Sequence, residues 1–251
     1  MNGTLTIVGT GPGNPAQATP QALDAIAAAE LFFGYGPYLD RLSLRPDQQR
    51  IASDNREEID RARAALDAAA RGGRVCVVSG GDPGVFAMAA AICEAIEHGP
   101  ETWRRLDVTV LPGVTAMLAV AARAGAPLGH DFCAISLSDN LKPWDIIEKR
   151  LRAVAEAGLV IALYNPVSRA RPWQLPTAFR ILREVLPVTV PVIFGRAIGR
   201  SDEAFAVIPL AEAESHPADM ATCIIVGSAE TRIIERNGKD PLVYSPRGAK
   251  A

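Results

Sequence analysis

The 251-residue sequence predicts an α/β fold arranged as two α/β domains. Short apolar runs rich in Val, Leu and Ile alternate with longer segments that have helical periodicity. Several of these runs end in glycine or in a polar loop, which is typical of parallel strands joined by crossover helices. A Pro-Gly pair at 112–113 interrupts the alternation near the middle of the chain. We therefore expect one domain over residues 1–112 and a second over residues 113–251.

The first block has the pattern of a largely parallel sheet. Thr19 and Pro20 have the pattern of a helix N-cap followed by proline at the first helical position. A longer helix is expected from a cap at Asp54 through Ala70. Strands are predicted where the apolar runs lie, at Leu5–Val8, Leu31–Phe33, Val75–Val78 and Val108–Leu111.

The second block continues the alternation. Helices are expected at Pro143–Ala157 and Pro172–Leu186. Pro191 cannot donate a hydrogen bond within a sheet, so its strand is expected either at an edge or with a late start. The strands of this block are predicted at Phe132–Ser136, Leu159–Leu163, Val190–Phe194, Ala204–Ile208 and Thr222–Val226.

Composition limits the classes of function. The chain is 49% hydrophobic and 22% charged, and its net charge of -2 gives no indication of a nucleic-acid or membrane partner. The start of the chain has no basic segment or cleavage site of a secretory signal, so a cytoplasmic protein is expected. The four cysteines form no C-x-x-C pair and the three histidines are widely separated, so we expect no metal site.

Two glycine-rich loops follow predicted strands. The loop Gly9–Gly13 resembles a dinucleotide fingerprint, but its third glycine comes too early and Phe33-Gly34-Tyr35 supplies no acid for a ribose. The loop Ser79–Phe86 contains two adjacent glycines and Asp82, and it has no Lys or Arg for a phosphate. Carbonyls and one carboxylate suit a hydroxylated or cationic ligand, and S-adenosylmethionine has both a ribose and a sulfonium. A purely structural turn is the alternative for each loop.

Polar residues also gather where other strands end. Thr115 can cap the helix that follows Pro112-Gly113, or it can face a ligand. The segment His130–Asp139 has polar residues at both ends of a strand, and His130 is equally suited to structural hydrogen bonding and to catalysis. The segment Tyr164–Arg171 offers many donors, and its two arginines could clamp carboxylates in bidentate fashion. The alternative for this segment is a solvated charged loop.

Together these residues resemble the tetrapyrrole methyltransferases, also called class III S-adenosylmethionine-dependent methyltransferases. The resemblance runs from Val8 to Gly227 and rests on V-G-x-G-P-G, S-G-G-D-P-G-V-F and P-G-V-T-A in this order. The segments Gly34–Asp40, His130–Asp139 and Tyr164–Arg171 are similar to the branch that methylates a cobalamin precursor at C17 and contracts its ring.

The resemblance implies a homodimer in which each chain binds S-adenosylmethionine in a cleft between two α/β domains, and a tetrapyrrole beside it. The substrate would contact the two polar loops through Gly11, Asn165, Ser168, Arg169 and Arg171. The cofactor would contact residues from both blocks: Pro12, Gly81, Asp82, Val85, Phe86, Thr115, Ala116, Leu163, Ala221 and Thr222.

The implied reaction needs a general base, because a hydroxyl proton must leave as the ring contracts. His130 is the first candidate, since a histidine pKa can lie near neutral, and Asp139 and Tyr164 are the next. Arg169 and Arg171 are expected to hold substrate carboxylates, with Arg196 and Arg200 as weaker candidates.

Three other functions stay open at this point. The chain could methylate a different carbon of a related macrocycle, which only the motif Tyr164–Arg171 argues against. It could be a dinucleotide-dependent oxidoreductase that uses the loop Gly9–Gly13. It could also be a non-catalytic binding protein, because methyl transfer from a sulfonium requires no catalytic residue that a sequence would reveal.

Overall fold

The computed structural model describes residues 3–54 and 57–248. The chain divides into two compact units, Met1–Thr115 and Ala116–Ala251. The domain boundary predicted from the sequence lies slightly earlier, after residue 112.

The first unit is built on a five-stranded sheet in the order β3-β2-β4-β1-β5. Its strands are β1 (Thr4–Gly9), β2 (Leu31–Tyr35), β3 (Gln49–Ser53), β4 (Arg74–Ser79) and β5 (Asp107–Leu111). Its helices are α1 (Pro20–Ala28), α2 (Gly36–Leu39), α3 (Glu58–Ala70), α4 (Met88–His98) and α5 (Glu101–Arg104), and a short 3-10 helix covers Pro15–Gln17. All neighbouring strands are parallel, which confirms the predicted sheet type.

The central strands β1, β2 and β4 of the first sheet are buried on both faces, as expected for a parallel sheet covered by helices. On one face Leu5 and Ile7 pack against Leu66 of α3 and Ile92 of α4. On the other face Val8 belongs to a separate apolar cluster. Because the strands are parallel, the carboxyl ends of β1, β4 and β5 all lie at one edge, and the loops that follow them come together there.

The second unit contains a mixed five-stranded sheet in the order β10-β9-β11-β8-β7 and a three-stranded sheet in the order β12-β13-β6. The strands of the mixed sheet are β7 (Phe132–Ser136), β8 (Val160–Tyr164), β9 (Pro191–Arg196), β10 (Ala204–Pro209) and β11 (Thr222–Val226). The smaller sheet consists of β6 (Gly125–Ala126), β12 (Arg232–Arg236) and β13 (Lys239–Tyr244). The helices are α6 (Ala116–Ala124), α7 (Trp144–Glu156) and α8 (Gln174–Arg183), with a 3-10 helix at Ala213–Ser215.

Only β7 and β8 are parallel in the mixed sheet, so their carboxyl ends share an edge. Pro191 is the first residue of β9, which lies between β10 and β11, so the late start rather than the edge position is correct. Phe179 and Leu182 of α8 pack on this sheet together with Ile147 and Leu151 of α7. Among the described residues, no helix is long and apolar enough to span a bilayer.

The predicted α/β class is confirmed, and two of the missed strands have a physical reason in common. The sequence analysis did not predict β3 or the three-stranded sheet. Residues of β3 and β12 are almost all exposed, so they lack the apolar pattern that marks a strand. The helix expected from Asp54 begins at Glu58, and residues 55 and 56 of that prediction lie outside the described residues.

Candidate functional site

Two glycine loops of the first unit are bonded directly to each other at the carboxyl edge of its sheet. The Gly11 N–H donates to the Gly81 carbonyl at 3.1 Å, and the Gly81 N–H donates to the Gly11 carbonyl at 2.8 Å. Both residues have positive φ angles, 74° and 70°, which glycine adopts without the steric cost that other residues have. The two loops that the sequence marked separately therefore form one backbone structure.

The Asp82 carboxylate joins a third loop to this pair. Its Oδ1 accepts a hydrogen bond from the Gly84 N–H at 2.8 Å, and its Oδ2 accepts one from the Gly113 N–H at 3.0 Å. Hydrogen bonds from backbone amides to a carboxylate are stronger than those between neutral groups. Asp82 therefore fixes the positions of the loops, whatever further contact it makes with a ligand.

The three loops approach so closely that side chains cannot fit between them. A Cβ added to Gly113 would lie 2.2 Å from the Gly81 carbonyl oxygen, and one added to Gly9 would lie 2.6 Å from the same atom. Thr10 adds two bonds to the Ser79 carbonyl, one from its N–H and one from its hydroxyl. This edge is consequently a surface of backbone groups that carries little charge.

The other predicted cofactor residues of the first unit surround these loops. Val85 is half-buried, and Pro12 and Thr115 are buried. Phe86 is 49% exposed and has a φ of 51°, a conformation that is costly for an aromatic residue. Strained residues of this kind concentrate at ligand sites, so Phe86 is consistent with the predicted contact.

In the second unit, polar side chains meet at the carboxyl ends of β7 and β8. Ser136 and Tyr164 are paired in the parallel register. Asn165 has a φ of 52° and donates from Nδ2 to the Ser136 hydroxyl at 3.0 Å. The Tyr164 hydroxyl accepts a hydrogen bond from the Met117 N–H at 2.9 Å, so it stabilises the first turn of α6. Tyr164 thus has a structural task in addition to any catalytic one.

A tight hairpin holds the two arginines of this segment in different environments. Ser168 and Arg171 exchange backbone hydrogen bonds at 3.2 and 2.9 Å, and Arg169 is exposed at the turn. Arg171 is only 8% exposed, and it donates to the Asn165 carbonyl at 3.3 Å and lies against the Met220 sulfur at 3.6 Å. Within residues 3–54 and 57–248, no carboxylate forms an ion pair with Arg171.

Asp139 is held by a residue that the sequence analysis did not select. Gln174, the first residue of α8, is 1% exposed and donates from Nε2 to Asp139 Oδ2 at 3.1 Å. Its Oε1 is buried and has no hydrogen-bond partner among the described residues. Lys142 lies close by and donates to the Ser138 carbonyl at 3.3 Å; burial and the charge of Arg150 lower the pKa of Lys142, and Asp139 opposes that shift.

His130 lies at the opposite end of β7. It precedes the first residue of that strand, whereas Asp139 follows the last, and five strand residues separate the ends by roughly 13 Å. Its Nδ1 is buried and has no hydrogen-bond partner in the described part of the chain. The structure therefore brings Asp139 and Tyr164 to one edge of the mixed sheet but does not bring His130 to them.

The arginines predicted as weaker substrate contacts are already engaged. Arg196 forms ion pairs with Asp202 at 2.9 Å and with Asp219 at 2.8 Å, which leaves it little capacity for a substrate carboxylate. Arg200 also has an interaction within the chain.

The predicted cofactor residues of the second unit lie at the start of α6, within β8 and at the start of β11. Ala116 begins α6, and Leu163 is fully buried in β8. Asp219 accepts hydrogen bonds from the Ala221 N–H and the Thr222 hydroxyl. Burial opposes the ionisation of Asp219, but its hydrogen bonds from Arg196, Thr222 and Ala221 outweigh that effect and lower its pKa.

Comparison with known proteins gives a consistent result over nearly the full chain. A profile of tetrapyrrole (corrin/porphyrin) methylases matches residues 4–214. The chain is 69% identical over 247 residues to a precorrin-3B C(17)-methyltransferase from a Sinorhizobium species, covering 98% of this chain and 97% of that relative.

Two solved structures have a similar fold. The crystal structure of the methyltransferase CobJ is similar with a TM-score of 0.92 and 49% identity, covering 97% of this chain and 100% of that one. A uroporphyrin-III C-methyl transferase from Thermus thermophilus, solved with S-adenyl homocysteine, has a TM-score of 0.70 at 23% identity, covering 90% and 98% of the two chains.

Proposed function

The chain belongs to the tetrapyrrole (corrin/porphyrin) methylase family and is a methyltransferase; on that premise we propose that it methylates precorrin-3B at C17, using S-adenosylmethionine. The identity of 69% to the Sinorhizobium relative, over almost all of both chains, supports this choice of substrate. We further propose that methylation accompanies contraction of the macrocycle to precorrin-4, as the resemblance of the motifs implies.

The glycine loops of the first unit fit S-adenosylmethionine. They present backbone groups and the fixed carboxylate of Asp82, and no Lys or Arg lies between Ser79 and Phe86. This environment suits a ribose and a sulfonium better than a diphosphate, which usually requires a cation. The Thermus thermophilus enzyme solved with S-adenyl homocysteine shares the fold, which also supports this cofactor.

Bound S-adenosylmethionine supplies an electrophilic methyl group that needs little activation. The task of the protein is then to hold the nucleophilic carbon in line with that group at about 3–3.5 Å. Rigid loops serve this purpose, because a displacement of about 1 Å costs much of the rate. The Asp82 bonds to Gly84 and Gly113 supply such rigidity.

The observation that carries the proposal is the buried guanidinium of Arg171, which forms no ion pair with any carboxylate that the structure describes. Burying a charge without a partner is costly, and buried charges in proteins are normally paired. Among the described residues Arg171 has only a carbonyl and a thioether as side-chain partners. A carboxylate of the tetrapyrrole would supply the missing charge, with bidentate geometry that lysine could not match.

Asp139 is the base that the placement of residues favours. It lies at the same sheet edge as Tyr164, and Gln174 orients it through a hydrogen bond of 3.1 Å. It would accept the hydroxyl proton that leaves when the ring contracts. His130 was the first candidate in the sequence, but it lies at the other end of β7, and the Tyr164 hydroxyl is bonded to the Met117 amide.

Calorimetry followed by a single-turnover assay tests the proposal. S-adenosylhomocysteine should bind to the purified chain, whereas NAD, the control ligand, should not. With excess enzyme, one equivalent of labelled methyl should pass from S-adenosylmethionine to precorrin-3B at C17. Binding of NAD alone would return the loop Gly9–Gly13 to a dinucleotide role, and cofactor binding without transfer would make the chain a binding protein.

A further inference from the structure

A pair of aromatic residues lies beside the glycine loops. They belong to the segment Gly34–Asp40, to which the proposed reaction assigns no role. The four-residue helix α2 follows β2 directly and carries Tyr38 at the carboxyl edge of the first sheet. A Cβ added to Gly80 would lie 2.8 Å from the Tyr38 ring, so this ring is seated on the glycine loop itself. Tyr35 packs edge-on against Tyr38, with 5.4 Å between the ring centroids.

The segment that carries these rings is held firmly. Leu39, the neighbour of Tyr38, is 1% exposed and belongs to the core of the first unit. Arg50 on β3 forms an ion pair with the Asp40 carboxylate and donates a hydrogen bond to the Gly36 carbonyl at 3.2 Å. Both ends of α2 are therefore fixed, and Tyr38 keeps its place on the loop.

Arg41 lies over the ring of Tyr38. Its guanidinium carbon is 5.5 Å from the centroid of the Tyr38 ring, and its side chain is exposed. No carboxylate of the described residues forms an ion pair with Arg41. We refer to Tyr35, Tyr38 and Arg41 as the Tyr38–Arg41 platform.

Most other exposed arginines of the first unit have an acidic neighbour. The described ion pairs join Arg45 to Asp47, Arg50 to Asp40, Arg63 to Asp60, Arg74 to Glu30, and both Arg104 and Arg105 to Glu101. Arg71 is also exposed without a described ion pair, but it precedes β4 and so lies at the amino edge of the sheet. Arg41 thus combines an unpaired charge, an aromatic support and the edge at which open α/β sheets bind ligands.

We propose that the Tyr38–Arg41 platform is a carboxylate-binding point for the tetrapyrrole, contributed by the first unit. This inference rests on the proposed function and extends it, because the substrate contacts predicted from the sequence are Gly11 and residues of the second unit. A guanidinium stacked on a ring that is seated on Gly80 is held in place, so a rim carboxylate bound to it would limit how the macrocycle can turn.

Binding of precorrin-3B to the protein saturated with S-adenosylhomocysteine tests this inference, because no turnover occurs with the product. Arg41→Gln should weaken binding about threefold, the loss expected when an exposed cation that binds a carboxylate is removed. Arg41→Lys keeps the charge but loses the planar contact with Tyr38, so it should give an intermediate value. Arg71→Gln is the matched control, since it removes an exposed, unpaired arginine from the opposite edge.

The outcomes separate this inference from the proposed function. Weaker binding in Arg41→Gln, with Arg71→Gln and the affinity for S-adenosylhomocysteine unchanged, supports the platform. Equal binding by Arg41→Gln and Arg71→Gln overturns the platform and leaves the proposed function intact. An unaltered chain that does not bind precorrin-3B overturns both. The loss of affinity in Arg41→Gln should also be smaller at high salt, because Arg41 is exposed and its charge is screened.

Discussion

The carboxyl edges of the two larger sheets are formed by different kinds of groups, mainly backbone in the first unit and side chains in the second. In the first unit, three loops are joined by backbone hydrogen bonds between Gly11 and Gly81 and by the Asp82 carboxylate. In the second unit, side chains form the edge: Arg171 is buried without a carboxylate partner in the part of the chain that the structure describes, and Gln174 donates a hydrogen bond to Asp139.

The difference teaches which kind of change each edge tolerates. An edge built mostly of backbone groups offers few side chains to remove, so it should be sensitive to added volume and less sensitive to salt. A side-chain site is sensitive to the loss of charge and to ionic strength, and it accepts changes of volume more easily. Backbone groups suit a ligand whose polar groups are small and mostly neutral, whereas unpaired arginines suit carboxylates.

The largest effect is expected from a single methyl group at the first edge. Gly113→Ala places a Cβ 2.2 Å from the Gly81 carbonyl oxygen, so the backbone must move. We expect the free energy of unfolding to fall by about 3 kcal/mol or more and binding of S-adenosylhomocysteine to be lost. Denaturant unfolding and calorimetry measure the two quantities. Gly36→Ala is the control, because its Cβ meets nothing within 4 Å; equal behaviour of the two variants would contradict the packed-loop description.

Removing the proposed base from the second edge should be the next largest effect. Asp139→Asn keeps the shape of the side chain and should lower the single-turnover rate about a hundredfold, while binding of S-adenosylhomocysteine persists. His130→Gln tests the rival base at the other end of β7 and should leave the rate about unchanged. The opposite result, a slow His130 variant and a normal Asp139 variant, would restore the candidate that the sequence ranked first.

Substitution of the two arginines of the hairpin should have different effects, because Arg171 is buried and Arg169 is exposed. Arg171→Met removes a buried charge that contacts the Asn165 carbonyl, and it should raise the KM for the tetrapyrrole roughly 10- to 100-fold. Arg169→Gln removes an exposed charge and should raise the KM only about threefold, with the difference lost at high salt. Steady-state kinetics at two ionic strengths measure both; equal and salt-independent effects would remove the distinction.

An effect that is absent at neutral pH should be the same in both units. Burial raises the pKa of Cys76 in β4 and of Cys223 in β11 to about 12, from an ordinary value of 9.0. Because the folded chain keeps these protons and the unfolded chain loses them, the stabilisation is complete below about pH 9 and declines as the pH rises toward 12. Each thiol should then remove about 1.4 kcal/mol per pH unit from the free energy of unfolding.

Alanine variants of the two thiols should flatten that decline equally, as followed by denaturant unfolding at several alkaline pH values. Cys93 is exposed, so Cys93→Ala should leave the decline unchanged. A decline that persists in full in both Cys76→Ala and Cys223→Ala would mean that other groups cause it.

Much of the site could be predicted from the sequence because its signals are local. The glycines of the two loops mark positions where the chain must turn tightly, and Gly11 and Gly81 indeed have positive φ angles. The cluster of polar residues from Tyr164 to Arg171 follows an apolar strand, and it lies at the carboxyl end of β8. The contacts of these residues with cofactor and substrate stay predictions, as do the cleft between the two domains and the homodimer.

The residues that the sequence missed are those whose importance depends on a distant partner. Gln174 is an unremarkable first residue of a helix until it is found bonded to Asp139, 35 residues away. The Tyr38 ring is seated on Gly80, and Arg196, a weaker candidate for substrate contact, forms ion pairs with Asp202 and Asp219. No local pattern records such pairings.

The sequence by itself determined the α/β class, most of the strands and the glycine-rich and polar loops that follow them, because apolar periodicity and glycine conformation act within a few residues. The tertiary structure alone decided which of those loops join, that Arg171 is buried without a carboxylate partner among the described residues, and that Asp139 rather than His130 lies at the same sheet edge as Tyr164. The reason is that strand order and register, set by packing of the whole sheet, determine which residues far apart in sequence become neighbours.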